Sequence, residues 1–231
     1  YCTVILSVRG GTGSTPSSRV SGSVATVTGQ GVNDVKVTFD ANMSEYPKTV
    51  QTSANGTFDM SNYNGLTYEI TASKGGDYLN GVSTLDLVMI QRHILGLQAL
   101  DSNYKLIAAD ANNDGKVTAS DLTDLRKLIL GVTTTLPNNT SWRFAVAGTP
   151  VQTSPIAFTE AISITNLSSE MDNQNFVAVK IGDVNGNVST SVNSPEVESR
   201  SNANVEMSVA EAAIAAGEVV EIPVTAANFS E

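Results

Sequence analysis

"DANNDGKVTASD", residues 110–121, carries an oxygen-bearing side chain at alternate positions, then a glycine, and closes on an aspartate. Asp110, Asn112 and Asp114 fall at positions one, three and five of a twelve-residue loop. Gly115 is at position six, where a sharp turn favours a residue without a Cβ. Lys116 stands where a backbone carbonyl is used, Thr118 where contact often runs through water, and Asp121 where the loop ends on a carboxylate. The spacing predicts a calcium loop, with hard oxygen donors wrapped around Ca2+ as the expected cofactor. Asp closes it where most loops of the EF-hand type use Glu.

Outward from the loop, the hydrophobic period is helical. "STLDLVMIQRHILG" (83–96) and "ASDLTDLRKLILG" (119–131) read as amphipathic helices and as a repeat. Val82, Asp86, Leu87, Ile94, Leu95 and Gly96 recur as Val117, Asp121, Leu122, Ile129, Leu130 and Gly131, an offset of 35 (117 − 82). Each helix is expected to begin beside an aspartate, which suits the positive N-terminus, and to end at a glycine suited to a left-handed cap.

The first copy lacks a whole loop. With Asp86 as the last position, Asp77 falls at position three, but Gly75 and Leu79 at positions one and five offer no side-chain oxygen. Further on, "GDVNGN" sets Asp183, Asn185 and Asn187 at alternate positions, with no closing acid and no helix after them. One loop lacks early ligands and a distant segment offers only those. Asp77, Asp86, Asp183 and Asn185 are therefore expected to assemble a possible second metal site.

The remainder reads as β structure. Residues 1–9, "YCTVILSVR", alternate as one strand, and 10–18 form a linker rich in Gly and Ser. Short strands with Gly and Asn turns fill 19–76, a small antiparallel β-sandwich. Residues 77–133 hold the loop-helix pair, and 134–187 supply a β segment expected to pack on the earlier modules. A second linker covers 188–201, and 202–231 begin two further strands. The fold class expected is mainly β with a small α-helical insert, flanked by extra strands. The chain opens as if already inside a strand, as a processed product or a piece of a longer polypeptide would.

Composition narrows the function. The 231 residues carry a net charge of −10, which disfavours contact with phosphate backbones, so no nucleic-acid partner is expected. No stretch reaches the apolar length of a membrane span. The single cysteine, Cys2, cannot form an intrachain disulfide. The single histidine, His93, lies within a helical run and reads as an ordinary helix residue.

"DANNDGKVTASDLTDLRKLILG", paired with "GVSTLDLVMIQRHILG", resembles the dockerin family over about residues 77–133. That resemblance implies duplicated loop-helix segments that bind calcium and dock onto cohesin domains in bacterial extracellular assemblies. It also implies that the residues just before each closing acid help choose the partner: Thr84 and Leu85 in one half, Ala119 and Ser120 in the other. The unlike halves argue against symmetric docking in two orientations. The sandwich before the pair looks like a carboxypeptidase-regulatory-like module, and residues 1–9 like the closing strand of an immunoglobulin-like or HYR repeat. "NVEMSVAEAAIAAGEVVEIPVTAANFS" resembles the opening strands of a cohesin. The order is similar to that in secreted multidomain proteins of Bacteroidetes-type bacteria.

Three function classes follow. For an enzyme there is no triad, no Cys–His pair and no zinc-type cluster, so no catalytic residue is assigned. A calcium-stabilised, extracellular or cell-surface scaffold or adhesive module is the leading reading. Its terminal strands would pair with copies of itself in a fibre by strand exchange. The alternative is a dockerin module that docks onto a cohesin-like partner.

Overall fold

The computed structural model describes residues 16–190 and the backbones of two later strands, 206–209 and 224–227. The strand expected at 1–9 and most of both linkers lie outside the described residues. Contacts divide the chain into two units, Tyr1–Val192 and Asn193–Glu231.

The first unit is built on two four-stranded sheets. Strands β1 (Ser17–Thr26), β2 (Lys36–Ala41), β3 (Lys48–Gln51), β4 (Thr57–Tyr63) and β5 (Tyr68–Ser73) come before the helices. After them come β6 (Trp142–Val146), a small hairpin of β7 (Gln152–Thr153) and β8 (Ile156–Ala157), then β9 (Ala161–Ile164) and β10 (Phe176–Lys180). One sheet has the order β4-β1-β10-β6, the other β3-β2-β5-β9. Alternation puts Val20 and Val24 of β1, Val37 and Phe39 of β2, and Tyr68 and Ile70 of β5 into a shared core with Trp142, Phe144 and Phe176. Phe39 meets Phe58 edge to face between the sheets, with ring centroids 6.3 Å apart.

Residues 142–180 thus supply strands to both sheets. Most pairs are antiparallel, as the alternating pattern predicts. The pair β1–β10 is parallel, with Val24 opposite Phe176. A parallel pair needs a long crossover, and here everything from β2 to β9, the helices included, lies between the two strands.

Helices α1 (Thr84–Ile94) and α3 (Ala119–Ile129) are the expected pair, and each carries a capping box, Ser83 with Asp86 and Thr118 with Asp121. A third helix, α2 (Asn103–Ala109), lies between them, with Ser102 Oγ accepting the Tyr104 N–H at 3.2 Å. Ile90, Ile107, Leu122, Leu125 and Leu128 form a second core with Val179, Ile181 and Val184. Strand β10 serves both cores. Phe176 and Ala178 enter the sandwich, while Val179 packs with the helices. The helical insert is therefore fixed to the sheet along β10 and the segment after it.

In the second unit, β11 (Glu206–Val209) and β12 (Val224–Ala227) pair antiparallel with each other. They are the two strands expected in 202–231.

Candidate metal centre and docking face

The loop 110–121 is closed by its own backbone. Asp110 Oδ1 accepts the Asp114 N–H at 3.0 Å and Oδ2 accepts the Gly115 N–H at 2.9 Å. Gly115 sits at φ 82°, which a side chain would strain, so the turn needs glycine there. Asn112 Oδ1 accepts the Asp114 N–H at 3.0 Å. At the helix start, Asp121 Oδ1 accepts the Asn112 N–H at 3.1 Å and Oδ2 accepts the Thr118 N–H at 2.8 Å. These bonds fold the loop back on itself, with the Asp110, Asn112 and Asp121 side chains held by the backbone of Asn112, Asp114, Gly115 and Thr118.

Electrostatics leave this centre short of positive charge. Asp110 and Asp121 are both buried, and among the described residues every hydrogen-bond donor to them is neutral. Burial pushes the Asp110 carboxyl up from its ordinary value, and the neighbouring Asp121 and Asp114 carboxylates add to the rise against the Gly115 and Asp114 N–H groups. Asp121 is raised for the same first reason, with Asp114 adding to it. Hard oxygens around a deficit of positive charge suit Ca2+ or Mg2+, and the flexible mixture of carboxylate, amide and carbonyl suits the larger ion. Among the described residues no three His, Cys, Asp or Glu side chains gather into a cluster that could hold a metal by themselves. In this loop amide and carbonyl oxygens stand beside the carboxylates.

The loop is braced from outside. Asn139 Nδ2 donates to the Asp110 carbonyl at 2.9 Å, and the Ile156 N–H donates to the Gly115 carbonyl at 2.8 Å. Arg143, on β6, donates to Asn113 Oδ1 and forks onto Glu160 at 2.7 Å per arm. Its guanidinium lies 5.0 Å from the Phe158 ring centre. Spacing along the loop itself gives no sign of these braces.

Of the second set, the structure brings three members together. The Asn185 N–H donates to Asp86 Oδ1 at 3.1 Å, and Asn185 Nδ2 to Asp86 Oδ2 at 3.3 Å. Asp183 is buried beside them; burial raises its carboxyl first, and Asp86 adds to the rise. Asp77 makes no hydrogen bond to any of the three. Its backbone carbonyl accepts Ser141 Oγ at 3.3 Å, and its carboxylate acts on the ammonium groups of Lys74 and Lys180.

Thr84, Leu85, Ala119 and Ser120 are all exposed, on the first turns of α1 and α3. The other ends of the repeat are exposed and apolar: Leu95 and Leu97 after α1, Leu130 and Val132 after α3. These are the same two positions, 35 residues apart. His93 Nδ1 accepts the Leu100 N–H at 3.2 Å and so fixes the chain after α1.

Residues 80–130 match the family model of the Dockerin type I domain. The match covers the two repeat helices and the whole loop 110–121, and it begins after residues 75–79. No curated protein matches the chain significantly. A solved structure of a DUF3823 family protein from Parabacteroides merdae is 13% identical, with a TM-score of 0.31; the alignment covers 72% of this chain and 48% of that one. No described helix is long and apolar enough to cross a membrane.

Proposed function

We propose that the loop-helix pair is a calcium-held docking module whose partner is a cohesin-type domain, in an extracellular or cell-surface assembly, and that the chain is non-catalytic. The match of residues 80–130 to the Dockerin type I model carries this reading. Calcium is taken by Asp110, Asn112, Asp114, the Lys116 carbonyl, Thr118 and Asp121, and its role is to hold α3 in place.

The surface supports a docking role. Leu95 and Leu97 are 61% and 73% exposed, and their repeat mates Leu130 and Val132 are 76% and 70% exposed. Scattered surface leucines are ordinary, but the same apolar pair left bare in both copies is surface that a partner can cover. Leu85 and Val88 add an apolar i, i+3 pair on α1. Their repeat mates on α3 are Ser120 and Thr123, so the two halves offer a partner different chemistry.

The scaffold reading draws on terminal strands that would join other sheets. Residues 1–9 lie outside the described residues, and β11 and β12 pair with each other. The docking reading has a family match behind it and is preferred.

The test is titration of cohesin domains into the full chain, in calcium and in a chelator. Leu130→Asp with Val132→Asp should weaken binding at least about tenfold while the melting temperature holds, because both residues are exposed. Failure of every cohesin to bind, or binding indifferent to this double substitution, overturns the proposal.

A further inference from the structure

The geometry points to a second calcium site in this chain, a loop cut into two pieces. Asp183, Asn185 and Asn187 supply positions one, three and five, and the Gly81 carbonyl, Ser83 and Asp86 supply positions seven, nine and twelve. It rests on the calcium reading of the loop 110–121 but not on any cohesin partner.

The support is a bond-by-bond match between the two centres. In the continuous loop, Asp110 Oδ1 accepts the N–H of position five and Oδ2 that of position six. In the divided one, Asp183 Oδ1 accepts the Asn187 N–H at 3.3 Å and Oδ2 the Val188 N–H at 3.0 Å. The third position accepts from the fifth in both, at 3.0 Å from Asp114 to Asn112 and 3.0 Å from Asn187 to Asn185. The closing acid accepts from the third position at 3.1 Å in both, Asn112 to Asp121 and Asn185 to Asp86. It also accepts from the ninth, Thr118 N–H at 2.8 Å and Ser83 N–H at 2.9 Å. The fourth residue is left-handed in both, Asn113 at φ 57° and Gly186 at φ 79°.

The cut falls between positions six and seven, Val188 and Gly81, which are peptide-bonded neighbours (Gly115–Lys116) in the continuous loop. Here they touch through space. A Cβ on Gly81 would lie 2.8 Å from the Val188 Cα and 3.0 Å from Asp183 Oδ2, so the cradle closes only around a glycine. Asn80 clamps the join, its Oδ1 accepting the Ser189 N–H at 3.0 Å and its Nδ2 donating to the Ser189 carbonyl at 2.8 Å. Asp86 and Asp183 are both buried, and among the described residues every group that donates to them is neutral. The Lys180 ammonium pulls on Asp183 through space but donates its hydrogen bonds to the Tyr78 and Ile181 carbonyls, so neither carboxylate has a cation bonded to it among the described residues, and burying them so is costly. The donor set is again all hard oxygen. The family match starts at residue 80, one residue before the second piece of this loop, and so takes in Gly81, Ser83 and Asp86 but not residues 75–79.

The experiment counts calcium on the full chain by native mass spectrometry and follows backbone amide exchange. The intact chain should hold about two equivalents. Asp110→Asn with Asp121→Asn should hold about one, and in that variant added calcium should slow exchange of the 184–188 amides. Asp86→Asn with Asp183→Asn should also hold about one. If this last variant does not fold, the Asp110/Asp121 variant decides alone. One equivalent on the intact chain and none on the Asp110/Asp121 variant would overturn the divided site and leave the continuous loop standing. So would a retained equivalent that leaves the 184–188 amides unchanged. No calcium on the intact chain would overturn both.

Discussion

Lys180 closes β10 with its side chain buried, and among the described residues its Nζ donates to two carbonyls, Tyr78 at 3.0 Å and Ile181 at 3.5 Å. Burial lowers its ammonium from 10.5 to about 8, against the pull of the Asp77 and Asp183 carboxylates. In the unfolded chain the group keeps its ordinary value. Between pH 8 and 10.5 the unfolded state therefore binds more protons than the folded one, and stability must rise with pH across that window. At about 1.4 kcal/mol per tenfold, the gap from 10.5 to about 8 amounts to about 3 kcal/mol. The assay is urea unfolding of the intact chain and Lys180→Met in chelator, from pH 6.5 to 10.5. The quantity read is the difference in unfolding free energy between the two proteins. Lys74, also lowered by burial, and the raised Tyr63 and Tyr68 contribute to both proteins and cancel. The intact chain should gain on the variant by about 3 kcal/mol above pH 8, with a flat difference below it. A difference that stays flat to pH 10.5, or falls, would refute the placement of this ammonium.

Asp121→Ala should remove calcium from the continuous loop and lower the melting temperature in calcium but much less in chelator. At a ligand excess of about a hundredfold over Kd, lost binding is worth about 2.7 kcal/mol, readable by differential scanning calorimetry. Arg143→Ala should weaken calcium at the same loop by about tenfold in a calorimetric titration, because it removes the brace on Asn113 without touching a ligand. Unchanged affinity would show that the loop needs no support from β6.

Much of the β framework is visible along the chain because strand faces alternate. "VKVTF" and "YEITA" show the side chains that enter the core, and Gly and Asn mark the turns. The helices α1 and α3 are visible because each runs three turns with a capping acid, and because they repeat. Helix α2 has seven residues, too few to establish a period against its surroundings. The parallel pairing of β1 with β10 is not visible either. It is set by packing between segments about 150 residues apart, and nothing in either strand names its neighbour. At the proposed metal centre, the continuous loop is readable because all its candidate donors lie on one stretch. Asp77 attracts attention at the divided centre because spacing is counted along one chain. Donors need only meet in space: Asn185 bonds Asp86, and burial and then the Asp86 charge raise Asp183, while Asp77 bonds none of the three and acts on the Lys74 and Lys180 ammonium groups.

The two centres, both filled, would do different mechanical work. In the continuous loop the clip joins residues 11 apart (121 − 110), and in the divided one 97 apart (183 − 86). The freedom removed from an unfolded chain grows with the logarithm of the closed length. The longer clip is therefore worth about 2 kcal/mol more, from (3/2)RT ln(97/11). It also lands where it is needed. Residues 183–188 follow directly from β10, the strand that serves both the sandwich core and the helix core. Fastening them to the start of α1 holds the helical insert to the sheet from which β10 comes. The exposed leucines of the repeat then stand on a rigid base, and a partner pulling on them would load the sandwich through the ion as well as through the core packed along β10.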